Sequence, residues 1–122
     1  WTYNMLTANS TNKALAKLYK GELFDVERTR YVMGVMTYVG FPDTIPSGVD
    51  ADATVAQKVG WHWDWDGWVN NDTGIIMFTG DDDNKKAFAI SIFTEKGAEQ
   101  YSFAPIAKEL TSIAYQHFKQ KY

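Results

Sequence analysis

The stretch from Thr54 to Trp68, TVAQKVGWHWDWDGW, holds the residue types best suited to chemistry. Lys58-Val59-Gly60 stands at the end of a segment that reads as a strand. A lysine there can hold an anionic substrate group and tune a nearby proton donor. The glycine lets a ligand lie against the strand. The next N–H, that of Trp61, can donate to a developing oxyanion. Lys-x-Gly alone fits a solvated strand-end lysine just as well, so its surroundings must decide. Those surroundings are Trp61, His62, Trp63, Asp64, Trp65, Asp66 and Trp68. Alternating aromatics on an extended segment can stack on sugar rings or other flat ligands, although rings are used chiefly for burial. His62 is able to exchange protons near neutral pH, and its ordinary use is as an exposed loop residue. His62, Asp64 and Asp66 alternate onto one face. No second histidine lies nearby, so no metal site is expected.

Other chemistries are narrowed by composition. The chain has 122 residues, room for one small domain and too few for two. It is 45% hydrophobic and 16% aromatic, which is enough to fill a core. Net charge is −3 and the 12 basic residues are scattered. Nucleic acid, which needs a concentrated cationic footprint, is not an expected partner. There is no cysteine, which removes disulfides, thiolate metal sites and a Cys nucleophile. Nothing in the sequence implies a cofactor. No apolar run approaches the roughly 20 residues of a membrane span. WTYNMLTANS has no basic region followed by an apolar core, so it does not read as a signal peptide. Trp1, Tyr3, Met5 and Leu6 open the chain as if in mid-domain.

The elements that must position the Lys58 stretch follow from periodicity. Ser10 or Asn9 can cap a first helix, with Ala14, Leu15, Leu18 and Tyr19 on one side and Gly21 at its end. Asp25 caps a second, with Val32, Val35, Met36 and Val39 as its stripe before Gly40 and Pro42. Residues 41–53 read as an irregular loop, and 54–60 as the first strand. A wide connection through the tryptophans and a turn at Asn70-Asn71-Asp72 lead to strands at 74–79 and 87–93. A hairpin loop, 80–86, joins these two strands. Its Asp81-Asp82-Asp83 lacks the glycine and glutamate of a calcium loop and reads as a charged tip. Residues 94–100 read as loop. Ser102 caps a last helix whose buried stripe is Phe103, Ile106, Ala107, Leu110, Ile113, Ala114 and Phe118. The two later strands are apolar at successive positions, as in strands covered on both faces. The expected fold is an α/β sandwich: a three-stranded antiparallel sheet with helices on both faces, in the order α-α-β-β-β-α.

From Asn9 to Phe118 this order and spacing resemble the C-terminal half of the class A β-lactamase and penicillin-binding serine hydrolase superfamily. KLYKGEL and FDVERTRYVMGVM resemble two successive helices of that half. IPSGVDADATVAQKVGW resembles the loop and strand carrying its Lys-Thr-Gly motif. NNDTGIIMFTG and KKAFAISIFTEKG resemble the two strands that follow. The resemblance implies an incomplete β-lactamase-like fold, one partial domain over 1–122, outside the cytoplasm. It implies Lys58 and the Trp61 N–H as catalytic groups. It also implies Val59, Gly60, His62, Trp63 and Trp65 along the wall of a cleft for a small-molecule or cell-wall substrate.

Two departures stand out. The family's middle Thr or Ser binds a substrate carboxylate through its hydroxyl, and here that position is Val59. The family's Ser-x-x-Lys nucleophile belongs to the N-terminal half. Ser10-Thr11-Asn12-Lys13 spells the motif, but only 44 residues separate Lys13 from Lys58, where the family places a whole helical subdomain. Ser10 is therefore read as part of a helix cap. In the intact family two further strands continue the sheet beside 87–93. The strand Ala87–Phe93 is thus expected to present a bare edge to the missing N-terminal half or to a second copy of this chain. A second reading is a non-catalytic module that holds a glycan or cell-wall fragment with its tryptophan-rich loop.

Overall fold

The computed structural model of the chain describes residues 5–38 and 40–122. Trp1, Tyr3 and Val39, each given a part above, lie outside the described residues. The elements are α1 (Ala8–Tyr19), α2 (Val26–Thr37), a 3-10 turn (Ile45–Gly48), β1 (Thr54–Asp64), β2 (Gly67–Thr79), β3 (Lys85–Gly97) and α3 (Ala104–Lys121). The strands form one antiparallel sheet in the order β1-β2-β3. In the central strand, Ile75 and Ile76 are 1% and 0% exposed, on opposite faces. Burying each stabilises the fold by about 1.5–3 kcal/mol. Ile75 and Ala56 pack under Leu15 and Leu18 of α1, with Val32, Met33 and Met36 of α2 beside them. On the other face Ile76, Phe78, Phe88 and Ile92 pack against Ile45, Phe103, Ala107 and Tyr115. This is the expected sandwich, with helices on both faces of an open three-stranded sheet.

The ends of the elements differ from expectation, each for a local reason. Thr7 caps α1 in place of Ser10 or Asn9. Its hydroxyl accepts from the Ser10 N–H and its N–H donates to the Ser10 hydroxyl, both at 3.1 Å. That reciprocal box occupies Ser10. At the other end, Gly21 N–H donates to Leu18 O and Glu22 N–H to Lys17 O, the paired closure of a helix end. Asp25 caps α2 as expected, accepting from Arg28 N–H at 2.8 Å. The stripe of α2 is turned, with Met33 rather than Val35 reaching the sheet. A long, unbranched methionine fills such a gap readily. The loop from Phe41 contains the 3-10 turn.

The strands are all longer than expected. β1 runs on to Asp64, and the wide connection is a two-residue turn, Trp65-Asp66, before Gly67. Gly67 follows at φ 144°, a conformation open to glycine and strained for other residues. Asn70, Asn71 and Asp72, expected as a turn, pair with Trp61, Gly60 and Val59 in mid-sheet. β3 begins at Lys85 and continues through the expected loop to Gly97.

At α3, Phe103 occupies the cap position without a side-chain bond, so Ser102 does not cap. The buried side is Ala107, Thr111 and Tyr115, while Ile106, Leu110 and Ile113 face outward. The rotation follows from the 3-10 turn. A Cβ on Gly48 would lie 2.6 Å from Lys108 O and 2.7 Å from Thr111 Cβ. Only a helix face of small side chains allows that approach. Gly48→Ala should therefore cost about 1–3 kcal/mol by overpacking, measured by urea unfolding. Unchanged stability would contradict this packing.

Candidate functional site

Side chains of a strand alternate between faces, and the unbroken pairing of Thr54–Asp64 with Gly67–Met77 applies that rule through the whole site. Lys58, Gly60 and His62 share the face of Ala56, the one covered by α1 and α2. Val59, Trp61 and Trp63 share the opposite face with Gln57. The stretch is thus two surfaces, and the residues expected along one wall are divided between them. Lys58 lies in the middle of β1 and not at its end.

On the first face, Lys58 is exposed and its Nζ donates to Val59 O. No ion pair to Lys58 is present among the described residues. Thr73 stands opposite Lys58 in the register, and Thr73 and Ser91 hydroxyl oxygens lie 2.5 Å apart. Ser91 in turn donates to Asn12 Oδ1 at 2.7 Å. A polar row therefore crosses the sheet from Lys58 to α1. Gly60 is half-buried and His62 exposed. β1 has no strand on its outer side among the described residues, which leaves a row of backbone groups for a ligand.

On the second face, Val59 is only 4% exposed, and no hydroxyl is available where the resemblance expects one. Beside it lies a buried polar tie. Gln57 Nε2 donates to Thr44 Oγ1 at 2.6 Å and to Asp72 Oδ2 at 2.7 Å, and Ile45 N–H donates to Asp72 Oδ2 at 3.3 Å. It fastens the 41–48 loop to the middle of the sheet. Burial raises the Asp72 pKa above its ordinary 3.8, outweighing the hydrogen bonds from Thr44, Gln57, Ile45 and Thr73. A second tie runs through Asn70, wholly buried, whose Oδ1 accepts from Tyr101 N–H at 3.1 Å. Tyr101 is held at φ 65°, a strained conformation for a tyrosine. The two ties bring Phe41 and Tyr101 to Trp61, with ring centroids 5.2 Å from Phe41 to Trp61 and 4.8 Å from Trp61 to Tyr101. Trp63 meets Trp68 edge-on at 5.7 Å. A cavity of about 250 Å³ opens beside Phe41 and Tyr101.

Trp65 sits apart from both faces, 88% exposed in the turn. Asp66 pairs with Lys96 at 3.4 Å, and Asp64 Oδ1 accepts from Trp65 N–H. Among the described residues, no group of three or more acidic, histidine or cysteine side chains is placed to hold a metal ion. Phe41, Tyr101, Asn70 and the Thr73–Ser91–Asn12 row had no signal in the sequence, because their partners lie far along the chain.

A sheet covered by helices on both faces, with a lysine and a glycine on its edge strand, is the framework of a β-lactamase-like hydrolase domain. The profile of the β-lactamase enzyme family matches residues 2–118, and the chain belongs to that family. No curated protein sequence matches it significantly. Among solved structures, a class A β-lactamase representative from Bacteroides cellulosilyticus is similar over 93% of this chain and 42% of its own, at 19% identity and TM-score 0.75. A β-lactamase from Francisella tularensis is similar over 95% of this chain and 43% of its own, at 16% identity and TM-score 0.73. PBP-A is similar over 89% of this chain and 38% of its own, at 17% identity and TM-score 0.72. The chain thus spans about two fifths of the length of these structures, and its fold is a partial β-lactamase-like one.

Asp72 gives this site a pH signature. Its pKa is raised on folding, so its contribution to stability is full below about 3.9 and declines as pH rises through the folded value. Asp72→Asn should flatten that decline, so that the variant gains on the wild type as pH rises above about 4 in thermal melts. Parallel curves across the range would remove Asp72 as the cause.

Proposed function

We propose that residues 1–122 are one partial domain, the C-terminal portion of an extracytoplasmic serine hydrolase that acts on a β-lactam, peptide or ester through an acyl-enzyme. The observation that carries this reading is Lys58, exposed on an edge strand within a chain of the β-lactamase family. In the reaction, a serine supplied from outside this chain attacks the substrate carbonyl. The Trp61 N–H donates to the oxygen that becomes negative, and Lys58 holds the substrate's anionic group and favours proton transfer at the serine. The leaving group departs with a proton, and water then releases the acyl group. Gly60 leaves room for substrate along the strand, and His62 lies on the same face. Val59 offers no hydroxyl, so a substrate carboxylate rests on Lys58 alone. This favours substrates other than the common carboxylate-bearing β-lactams.

Fluorescent penicillin should leave the 122-residue chain unlabelled, and covalent labelling would contradict an external nucleophile. With a Ser-x-x-Lys portion restored, Lys58→Ala should slow acylation by roughly 10²-fold in stopped-flow assays. An unchanged rate would remove Lys58 from the mechanism.

The outer edge of β3 has no strand neighbour among the described residues. The partner is the missing N-terminal half or a second copy, joined along Ala87–Phe93. Light scattering should show association that grows with concentration, and a monomer at every concentration would count against it.

A second reading is favoured by one observation. Trp63 and Trp65 are 60% and 88% exposed, more than packing under a loop requires. It makes the chain a non-catalytic glycan-binding module.

A further inference from the structure

The buried tie on the second face is one proton short of satisfying its own members. Thr44 has a single hydroxyl proton and donates it to Phe41 O at 3.2 Å. Its oxygen therefore accepts from Gln57, which turns the Gln57 nitrogen toward Thr44. Both N–H bonds of that nitrogen are then used, one on Thr44 Oγ1 and one on Asp72 Oδ2. Two acceptors remain, Gln57 Oε1 and Asp72 Oδ1, each buried and without a hydrogen-bond partner. They belong to two groups already joined at 2.7 Å. An amide and a carboxyl group joined by one N–H···O bond can close a second bond between their other oxygens when the carboxyl carries a proton. Oδ2 already accepts from Gln57 and from the Ile45 N–H, so the place for that proton is Oδ1.

The surroundings hold no charge that would compensate an ionised Asp72. β1 faces it with Gln57 and Val59, β3 with Ile92, and the loop with Thr44 and Ile45. The titratable groups of the core on this face are Tyr101 and Tyr115. Burial raises both above the ordinary 10.0, so they are neutral wherever a carboxyl titrates. Farther out, Asp43 and Lys108 are exposed, and Asp50 is paired with Lys119. Of the elements around Asp72, the strands are fixed by their ladders. The 41–48 loop is fastened to them through Gln57 and Asp72 themselves. Opening of that loop is the local motion that brings water to a charge the interior disfavours.

We propose that Asp72 is a proton-held latch on the 41–48 loop. Protonated, its Oδ1–H donates to Gln57 Oε1 and the loop is fastened to the sheet. On ionisation the Oδ1–H bond breaks, the proton passes to solvent, and two acceptors face each other with none between them. The latch is closed at acid pH and loosens as pH rises, releasing Phe41 from Trp61. It depends on neither functional reading above.

The test follows the 122-residue chain by NMR from about pH 3 upward. The Asp72 carboxyl carbon, assigned by its loss in Asp72→Asn, should titrate well above the ordinary aspartate value of about 3.9. The Ile45 N–H reports the loop, because it donates to Asp72 Oδ2. Its hydrogen exchange is divided by that in Asp72→Asn at the same pH, which cancels base catalysis. Asparagine carries an N–H where the acid carries its proton, so this variant keeps the latch closed. The ratio should stay level while Asp72 is protonated and rise roughly tenfold across its titration. Exchange at Ile76, in the central strand, should not follow. An Asp72 carbon that titrates at the ordinary value overturns the proposal. So does an Ile45 ratio that stays level through the titration of Asp72, and so does Ile76 exchange rising in step, which would make the opening global.

Discussion

The Gln57 amide, bonded to Thr44 and Asp72 in the interior, is the contact on which the rest of the arrangement depends. It joins the 41–48 loop to the two strands that carry the site. That loop's 3-10 turn then packs on α3 through Gly48, and its other end delivers Phe41 to Trp61. Removing one partner would strand the others without water, which costs more than the bond itself contributes. The charge on Asp72 opposes this order, since burial disfavours the ionised form. The molecule therefore keeps a carboxylate where an apolar residue would be easier to bury, and gains a fixed loop position from it.

Much of the fold could be read from residue patterns because they were local. Asp25 before an apolar stripe and Gly21 after one mark helix ends whatever surrounds them. The strand cores at 74–79 and 87–93 are apolar enough to declare themselves. The misreadings arose where tertiary contacts overrode local chemistry. Asn70, Asn71 and Asp72 have turn composition, yet Asn70 and Asp72 are buried in the sheet because their side chains find partners 15 to 31 residues away. Ile106, Leu110 and Ile113 were reasonable core residues until Gly48 turned α3 around. The cap at Thr7 was missed because its box closes with serine at the third position and not with the usual Glu or Gln.

The candidate site followed the same division. Lys58 and Gly60 are singled out by a contiguous motif, and the sheet puts both on one face of β1. The Thr73–Ser91–Asn12 row has no such motif, since it gathers residues up to 79 positions apart. The tryptophans and their alternation were visible, but their assignment to a connection hid the pairing with β2 that fixes which face they take. Family membership rests on residues 2–118 as a whole, not on the Lys58 motif alone. The motif's one change, valine for a hydroxyl residue, falls on a buried side chain. It reads as a substitution absorbed by packing.

The regular pairing of β1 with β2 has a further consequence. Which residues meet which ligand is a matter of parity. Inserting or deleting a single residue between Ala56 and Trp61 would exchange the faces beyond it, sending Trp61 and Trp63 under α1 and α2 and turning His62 toward α3. Changes of two residues would preserve the separation. Length variation in this hairpin is thereby restricted to even steps, and odd ones would need a bulge to restore the phase.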